Sequence, residues 1–168
     1  MTRKPVAATL GLMLGLIAAN TAHAAAHTAN CLNADVVEAA RIQEFHAGML
    51  VTQLRCRMIG VDFGPSLIRF ETTQGQALIA AEDRLTRHFN AQPDHTGHDV
   101  DDFTTRLGNR YGTGALTLSL CGVFHDVAEE LGKSETPGSM LSYYAKAMVP
   151  EPPRVPGTCP TLLTRKQD

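Results

Sequence analysis

Several features that mark common functional classes are missing from this 168-residue sequence. No hydrophobic run after residue 24 approaches the roughly 20 residues that a transmembrane helix needs. No two cysteines have the C-x-x-C spacing of a thioredoxin-like redox centre, a zinc knuckle or a covalent haem site. A phosphate loop, a dinucleotide fingerprint and an H-E-x-x-H motif are also missing. Although active sites are often assembled from scattered residues, the lack of any catalytic signature favours a non-enzymatic protein.

An excess of positive charge is missing as well. The sequence has 15 Lys and Arg against 17 Asp and Glu. Without Arg3 and Lys4, which belong to the leader described next, 13 basic side chains remain and the net charge is near −4. A chain of this charge lacks the electrostatic footprint of a protein that binds nucleic acid or anionic lipid. We therefore expect no nucleic-acid partner, and the sequence indicates no cofactor.

The first 24 residues have the pattern of a secretory signal peptide. Arg3 and Lys4 supply a positive start, residues 10–19 form an apolar run, and Ala22 and Ala24 form a small-x-small cleavage site. We expect cleavage after Ala24 and a periplasmic or secreted mature protein without a membrane span.

The spacing of apolar residues predicts an all-α protein. Helices are expected over about residues 35–58, 65–90, 96–111, 115–131 and 136–149. The first helix is apolar around much of its circumference and should lie in the middle of a bundle. Its apolar positions include Ile42, Phe45, Met49, Leu50, Leu54 and Cys56.

Local signals place the ends of these helices. Gly60 should end the first helix, and Thr96 with Asp99 has the form of a capping box for the third. Gly112 should end the third helix in a left-handed conformation. Thr136 followed by Pro137 has the residue order preferred where a helix begins, here the fifth.

The domain organisation follows from this pattern. Residues 25–149 are expected to form one helical domain, and residues 150–168 contain five prolines, which exclude a helix or a central strand there. We predict a disulfide-stapled bundle of about five helices with an extended C-terminal tail that is tethered through Cys159.

The four cysteines, at positions 31, 56, 121 and 159, predict two disulfides in an exported protein. A first helix of about 31 Å keeps Cys31 from reaching Cys56, because the short lead before the helix spans at most ~13 Å. The preferred pairing is Cys56 with Cys121 and Cys31 with Cys159, which joins two apolar helices and ties the chain ends. Pairing Cys31 with Cys121 and Cys56 with Cys159 remains an alternative.

Two groups of side chains could bind a metal or haem. His95, His98, Asp94 and Asp99 carry ligands suited to zinc or copper, although acids at a helix start and histidines in a linker explain the same residues without a metal. His46 falls on the buried side of the first helix, where a hydrogen-bonded core histidine competes with a haem or metal ligand.

A further pair stands four residues apart on the fourth helix, where Glu129 could orient the imidazole of His125. Exposed pairs of this kind usually make only contacts on the helix surface. No nucleophile accompanies the pair, so it predicts no catalytic centre.

Short motifs along the chain resemble a group of small, exported, four-cysteine proteins of Gram-negative proteobacteria that have no assigned activity. The motifs are Ala40-Arg41-Ile42-Gln43-Glu44-Phe45, Leu54-Arg55-Cys56-Arg57, Leu107-Gly108-Asn109-Arg110-Tyr111-Gly112 and Leu120-Cys121-Gly122. The resemblance implies an all-helical exported module and no catalytic residue. Within the third motif, Tyr111 should anchor in the core, while Asn109 and Arg110 could present a binding surface.

Two functions are therefore expected from the sequence. The first is an exported, non-enzymatic envelope or binding module whose partner is an envelope protein, a small ligand or the envelope itself. The alternative is a periplasmic metal- or haem-binding protein that uses His95 and His98 with nearby acids, or His46.

Overall fold

The computed structural model describes residues 33–91, 99–151 and 155. Five helices and no strand occur in these ranges, and they belong to one compact unit that begins at Asn33. The helices are α1 (Ala34–Met58), α2 (Gly64–Asn90), α3 (Val100–Tyr111), α4 (Leu118–Gly132) and α5 (Ser139–Met148). The predicted all-α bundle of five helices is confirmed. The predicted signal peptide, Cys31 and most of the proline-rich tail, including Cys159, lie outside the described residues.

The first helix occupies the centre of the bundle. It packs against each of the other four helices, as its broad apolar arc predicts. Phe45, Met49 and Cys56 are among its fully buried side chains. Leu50 and Leu54, which the sequence assigned to the same arc, are exposed, because the described helices leave that side of the C-terminal half of α1 uncovered.

A disulfide joins α1 to α4. It links Cys56 in the last turn of α1 to Cys121 in the first turn of α4, with the two Cα atoms 5.8 Å apart and both residues fully buried. This is the preferred one of the two pairings left open by the sequence, and it excludes a bond between Cys31 and Cys121. The expected partner bond, from Cys31 to Cys159, stays a prediction because both residues lie outside the described ranges.

The observed ends of α1 and α3 can be compared with the capping residues predicted from the sequence. Gly60 adopts a φ of +88° just after α1, as expected for a helix stop. The helix α3 begins with Asp99 as its N-cap, whose carboxylate accepts the N–H of Asp102 at 2.8 Å, whereas Thr96 was the predicted cap. The left-handed position at the other end is Gly114, with a φ of +91°, and the prediction for Gly112 is wrong because Gly112 stays helical at −68°.

Two further helices begin later than their sequence signals suggest. The helix α4 starts at Leu118, where the side chain of Thr117 accepts the N–H of Leu120 at 3.1 Å. The expected start at residue 115 is therefore wrong by three residues. The helix α5 starts at Ser139, after Gly138 with a φ of +82°, because Thr136 and Pro137 are used in the preceding turn.

Polar side chains in the middle of α2, which we call its polar centre, donate hydrogen bonds to the last carbonyls of α4. Thr73 donates its hydroxyl hydrogen to the carbonyl of Gly132 at 3.0 Å, and Gln74 donates to the carbonyl of Leu131 at the same distance. The side-chain oxygen of Gln74 in turn accepts the N–H of Gly138 at 2.8 Å. The last carbonyls of a helix have no partner within the helix, so these contacts satisfy groups that burial would otherwise leave unpaired.

Glu129 joins α4 to α2 through a cluster of donors. One carboxylate oxygen accepts Arg69 Nη2 at 2.6 Å and Ser66 Oγ at 3.1 Å, and the other accepts Lys133 Nζ at 2.5 Å. These contacts, led by the hydrogen bond from Lys133, lower the pKa of Glu129 to about 2. His125, whose imidazole Glu129 could have oriented, lies 3.4 Å from Asp126, while the carboxylate of Glu129 accepts from Ser66, Arg69 and Lys133.

Replacing Glu129 by Gln should make the free energy of unfolding depend less on pH below pH 5. A carboxylate whose pKa is lower in the folded state stabilises it fully above its ordinary pKa near 4.5, and this contribution is lost as the pH falls towards 2. Urea unfolding followed by circular dichroism at a series of pH values should therefore show a smaller loss of stability between pH 5 and pH 2 in E129Q than in the wild type. The matched control is E135Q, because Glu135 is exposed and has no ion pair in the described part of the chain. The prediction would be contradicted if the free energy of unfolding fell by the same amount between pH 5 and pH 2 in the wild type, E129Q and E135Q.

Candidate functional site

Two of the four motifs of the sequence resemblance, residues 40–45 and 107–112, meet where α1 packs against α3. Glu44 on α1 is buried, with 3% of its side chain exposed, and its Oε1 accepts Nη1 of Arg110 at 2.5 Å. The same oxygen accepts the hydroxyl hydrogen of Tyr111 at 3.1 Å. The arrangement couples a buried carboxylate to an Arg110 side chain that is 58% exposed. We call these three residues the Glu44 cluster.

A glycine makes room for this cluster. A Cβ atom at Gly48, one turn after Glu44, would lie 3.1 Å from Cε1 of Tyr111. That separation is tighter than side chains normally adopt, so the lack of a side chain at position 48 lets the aromatic ring lie against α1. The only glycine in the α1 sequence is explained by this close approach rather than by the helix itself, which it weakens.

The surroundings of Tyr111 change its acidity. Burial, the negative charge of Glu44 and the hydrogen bond to that carboxylate together raise the pKa of Tyr111 to about 12. The phenol therefore stays protonated at neutral pH and acts as a hydrogen-bond donor to Glu44. This chemistry suits a structural or binding role for Tyr111.

Hydrogen-bonding capacity remains in the cluster. Oε2 of Glu44 and Nε of Arg41, one turn earlier on α1, are both buried without a hydrogen-bond partner in the described part of the molecule. Buried polar atoms normally have partners, so an unpaired carboxylate oxygen is a free acceptor of hydrogen bonds. The cluster thus combines a buried acceptor with a half-exposed cation.

A second arginine fixes the connection between α3 and α4. Nη1 of Arg55 donates to the carbonyls of Tyr111 and Thr113 at 2.8 and 3.0 Å, and Nη2 donates to that of Gly114 at 2.6 Å. Because Arg55 directly precedes the disulfide-bonded Cys56, the last turn of α1 holds both the loop after α3 and the start of α4.

The predicted binding residues Asn109 and Arg110 are both exposed near the end of α3. The structure brings Arg110 into the Glu44 cluster and leaves Asn109 at the surface. Sequence reasoning missed Glu44, although a signal existed: Glu44 lies in the densely apolar α1, one helical turn before Gly48, where a charged residue needs a partner on another helix.

The predicted metal ligands are mostly outside the described residues. Asp94, His95 and His98 lie there, and Asp99 serves as the N-cap of α3. Among the residues that the structure does describe, no three His, Cys, Asp or Glu side chains are placed to hold a metal ion. The metal site on these four residues stays a prediction.

His46 has a protein partner. Its Nε2 lies 2.9 Å from Oε1 of Glu71 on α2, and its ring packs edge-on against Phe70 at a centroid distance of 6.0 Å. About one fifth of the side chain is exposed. The contacts are those of a hydrogen-bonded histidine between two helices, which was one of the two interpretations of His46.

An open depression of about 230 Å³ lies between the end of α2 and the start of α3. Its lining includes the buried ring of Phe89 and three carboxylates. The three are Glu82, Asp99 and Asp101. Since Asp99 is already used as a helix cap, the structure gives the depression no convergent set of free ligands.

The chain matches no protein-family model, no curated protein and no solved structure at a significant level of similarity. In the described ranges, no helix is long and apolar enough to span a membrane.

Proposed function

We propose that this protein is an exported, non-enzymatic module of the bacterial envelope or its surroundings, and that it acts by binding a partner. The observation that carries the proposal is the fully buried Cys56–Cys121 disulfide between two helices of the core. Disulfides persist in oxidising compartments and are rare in the cytosol. The signal-peptide pattern of residues 1–24 and the resemblance to small exported four-cysteine proteins support the same location.

Binding is supported by the way that the protein presents Arg110. Its guanidinium is held through one amino group by the buried carboxylate of Glu44, while more than half of the side chain stays accessible beside Asn109. Arginine is enriched among the residues that contribute most to protein interfaces, and a pre-positioned side chain loses less entropy on binding. We therefore propose Asn109 and Arg110 as a contact surface for a partner.

Export can be tested directly with the full chain in a Gram-negative host. We expect the protein in the periplasm or the medium, with an N-terminus at Ala25 and with Cys56 and Cys121 protected from alkylation until a reductant is added. The matched control lacks residues 2–24 and should stay in the cytoplasm with reactive thiols. An intact N-terminus in the cytoplasmic fraction, with both cysteines alkylated without reductant, would overturn the proposal.

A further inference from the structure

The end of α3 and the start of α4 are attached to the same two residues of α1. Nη1 of Arg55 donates to the carbonyl of Tyr111, the last residue of α3, at 2.8 Å. The next residue, Cys56, is bonded through its sulfur to Cys121 in the first turn of α4. Residues 111–121 therefore form a loop whose two ends lie on neighbouring residues of one helix. We call this loop the α3–α4 segment.

The disulfide is the one fully buried attachment of the first half of α4. Among residues 118–126, only Cys121 is buried, while Phe124 is half-buried. The buried apolar side chains of α4 are concentrated in its second half, which begins at Val127, and there the carboxylate of Glu129 also accepts hydrogen bonds from α2. Without the bond, the start of α4 and the α3–α4 segment would lose the covalent attachment that keeps them against α1.

Apolar packing alone holds α3 weakly. The helix has 12 residues, of which Phe103 and Leu107 are the buried ones, and among the described helices it packs against α1 and, to a smaller extent, α2. Isolated helices shorter than ~12–15 residues are only marginally stable in water. Regions with few buried apolar contacts open at a lower free-energy cost than the core. The docking of α3 therefore depends strongly on its polar contacts, which are the Glu44 cluster and the hydrogen bonds from Arg55.

We propose that formation of the Cys56–Cys121 bond completes the contact surface around Arg110, because closing the α3–α4 segment docks α3 on α1 and brings Arg110 to the carboxylate of Glu44. This inference rests on the proposed function, since it concerns the regulation of the proposed contact surface. Each cysteine thiol loses one hydrogen atom as the S–S bond forms, and both hydrogens with their electrons pass to a disulfide-containing oxidant, whose own S–S bond becomes two thiols. In the reducing cytosol the bond does not form, so the surface is completed only after export.

The burial of the bond makes this change one-way. Both cysteines are fully buried in the docked structure, and thiol–disulfide exchange requires that a thiolate reaches a sulfur atom. The bond must therefore form while the α3–α4 segment is open, and closing of the segment then protects the bond from reduction. The hydrogen bonds from Arg55 to the carbonyls of Thr113 and Gly114 fix the segment once it is closed.

The test measures how much Arg110 contributes to stability when the bond is absent. Urea unfolding of the purified, oxidised chain gives the loss of unfolding free energy that R110A causes in the wild type, in C56A/C121A and in L141A. The L141A background is also destabilised, because it lacks a fully buried side chain of α5, but it keeps the disulfide. We expect R110A to cause a similar loss in the wild type and in L141A. In C56A/C121A the loss should be about threefold smaller, because α3 is already undocked there.

Arg55 offers a second variant, which leaves the disulfide in place and keeps the proposal testable if C56A/C121A does not fold. R55A removes the three hydrogen bonds to the carbonyls of residues 111, 113 and 114. We expect the loss caused by R110A to be about twofold smaller in this background than in the wild type. The control R57A removes an exposed arginine from the same turn of α1 and should leave the loss caused by R110A unchanged.

Amide hydrogen exchange gives an independent measurement. At exchange times when the peptides of α2 remain protected, the amides of α3 should exchange about tenfold faster in C56A/C121A than in L141A. Equal losses from R110A in C56A/C121A and L141A, or equal exchange of α3 in these two proteins, would overturn the inference and leave the export proposal standing. Retention of the full chain in the cytoplasm would instead overturn the proposed function, because the coupling between the bond and Arg110 is measured in purified protein.

Discussion

Replacing both Cys56 and Cys121 by Ala should lower the free energy of unfolding by about 4 kcal/mol. The disulfide closes a loop of 65 residues, and without it the unfolded chain regains the entropy that the bond removes. Since small domains are typically stable by only about 5–15 kcal/mol, the loss would be a large share of the total. We also expect α4 to detach from α1 before the rest of the bundle unfolds.

Urea unfolding of the oxidised wild type and of C56A/C121A, followed by circular dichroism, measures this loss. The double variant isolates this bond, whereas a reductant would also act on any bond between Cys31 and Cys159. A control pair of substitutions to Ala at Thr72 on α2 and Ser119 on α4, both exposed, should change the stability little. A difference of less than about 1 kcal/mol between the wild type and C56A/C121A would contradict the prediction.

Replacing Arg110 by Ala should cost about 3 kcal/mol of stability, although more than half of this side chain is exposed. The variant leaves the buried carboxylate of Glu44 with Tyr111 as its remaining hydrogen-bond donor in the described structure. Removing one partner of a buried ion pair is costly because the other charge then stays buried without compensation. In the reverse variant, E44Q, the unpaired Arg110 can turn into water, so the expected loss is only about 1 kcal/mol.

A double-mutant cycle measured by urea unfolding checks the prediction for Arg110. In E44Q/R110A the buried carboxylate of Glu44 is replaced by a neutral amide, so this protein should be more stable than R110A alone. R106A serves as the control, because Arg106 pairs with Asp102 on the exposed side of α3 and its loss should cost less than about 0.5 kcal/mol. The result that would refute the account is an R110A variant as stable as R106A, or a cycle with no coupling between positions 44 and 110.

The helices could be predicted because their signals are local. Apolar residues at helical spacing located α1 and α2 to within one or two residues, and Gly60 ends α1 in the left-handed conformation that glycine tolerates. Errors occurred at the starts of α3, α4 and α5, where several capping residues stand close together, and at the end of α3, where Gly114 and not Gly112 is left-handed. Thr96 and Asp99 are both good caps, and the sequence offers no local reason why Asp99 is the one used.

The candidate site was predicted only in part. The exposed residues Asn109 and Arg110 were identified, but the partner of Arg110 was not, because Glu44 lies 66 residues away in sequence. The same limit applies to the polar centre of α2. Thr73 has a low helix propensity, and nothing near Thr73 and Gln74 in sequence shows that they hydrogen-bond to the C-terminal carbonyls of α4.

The sequence by itself determined the helical class, the central position of α1 and the cysteine partners that helix length allows, since these depend on periodicity and reach along one chain. The tertiary structure alone decided which polar side chains are paired, that Leu50 and Leu54 are exposed, and that Met58 and Leu118 share one end of the bundle. The physical reason is that a hydrogen bond or an apolar surface between helices depends on how whole helices pack, and no short stretch of sequence contains that information.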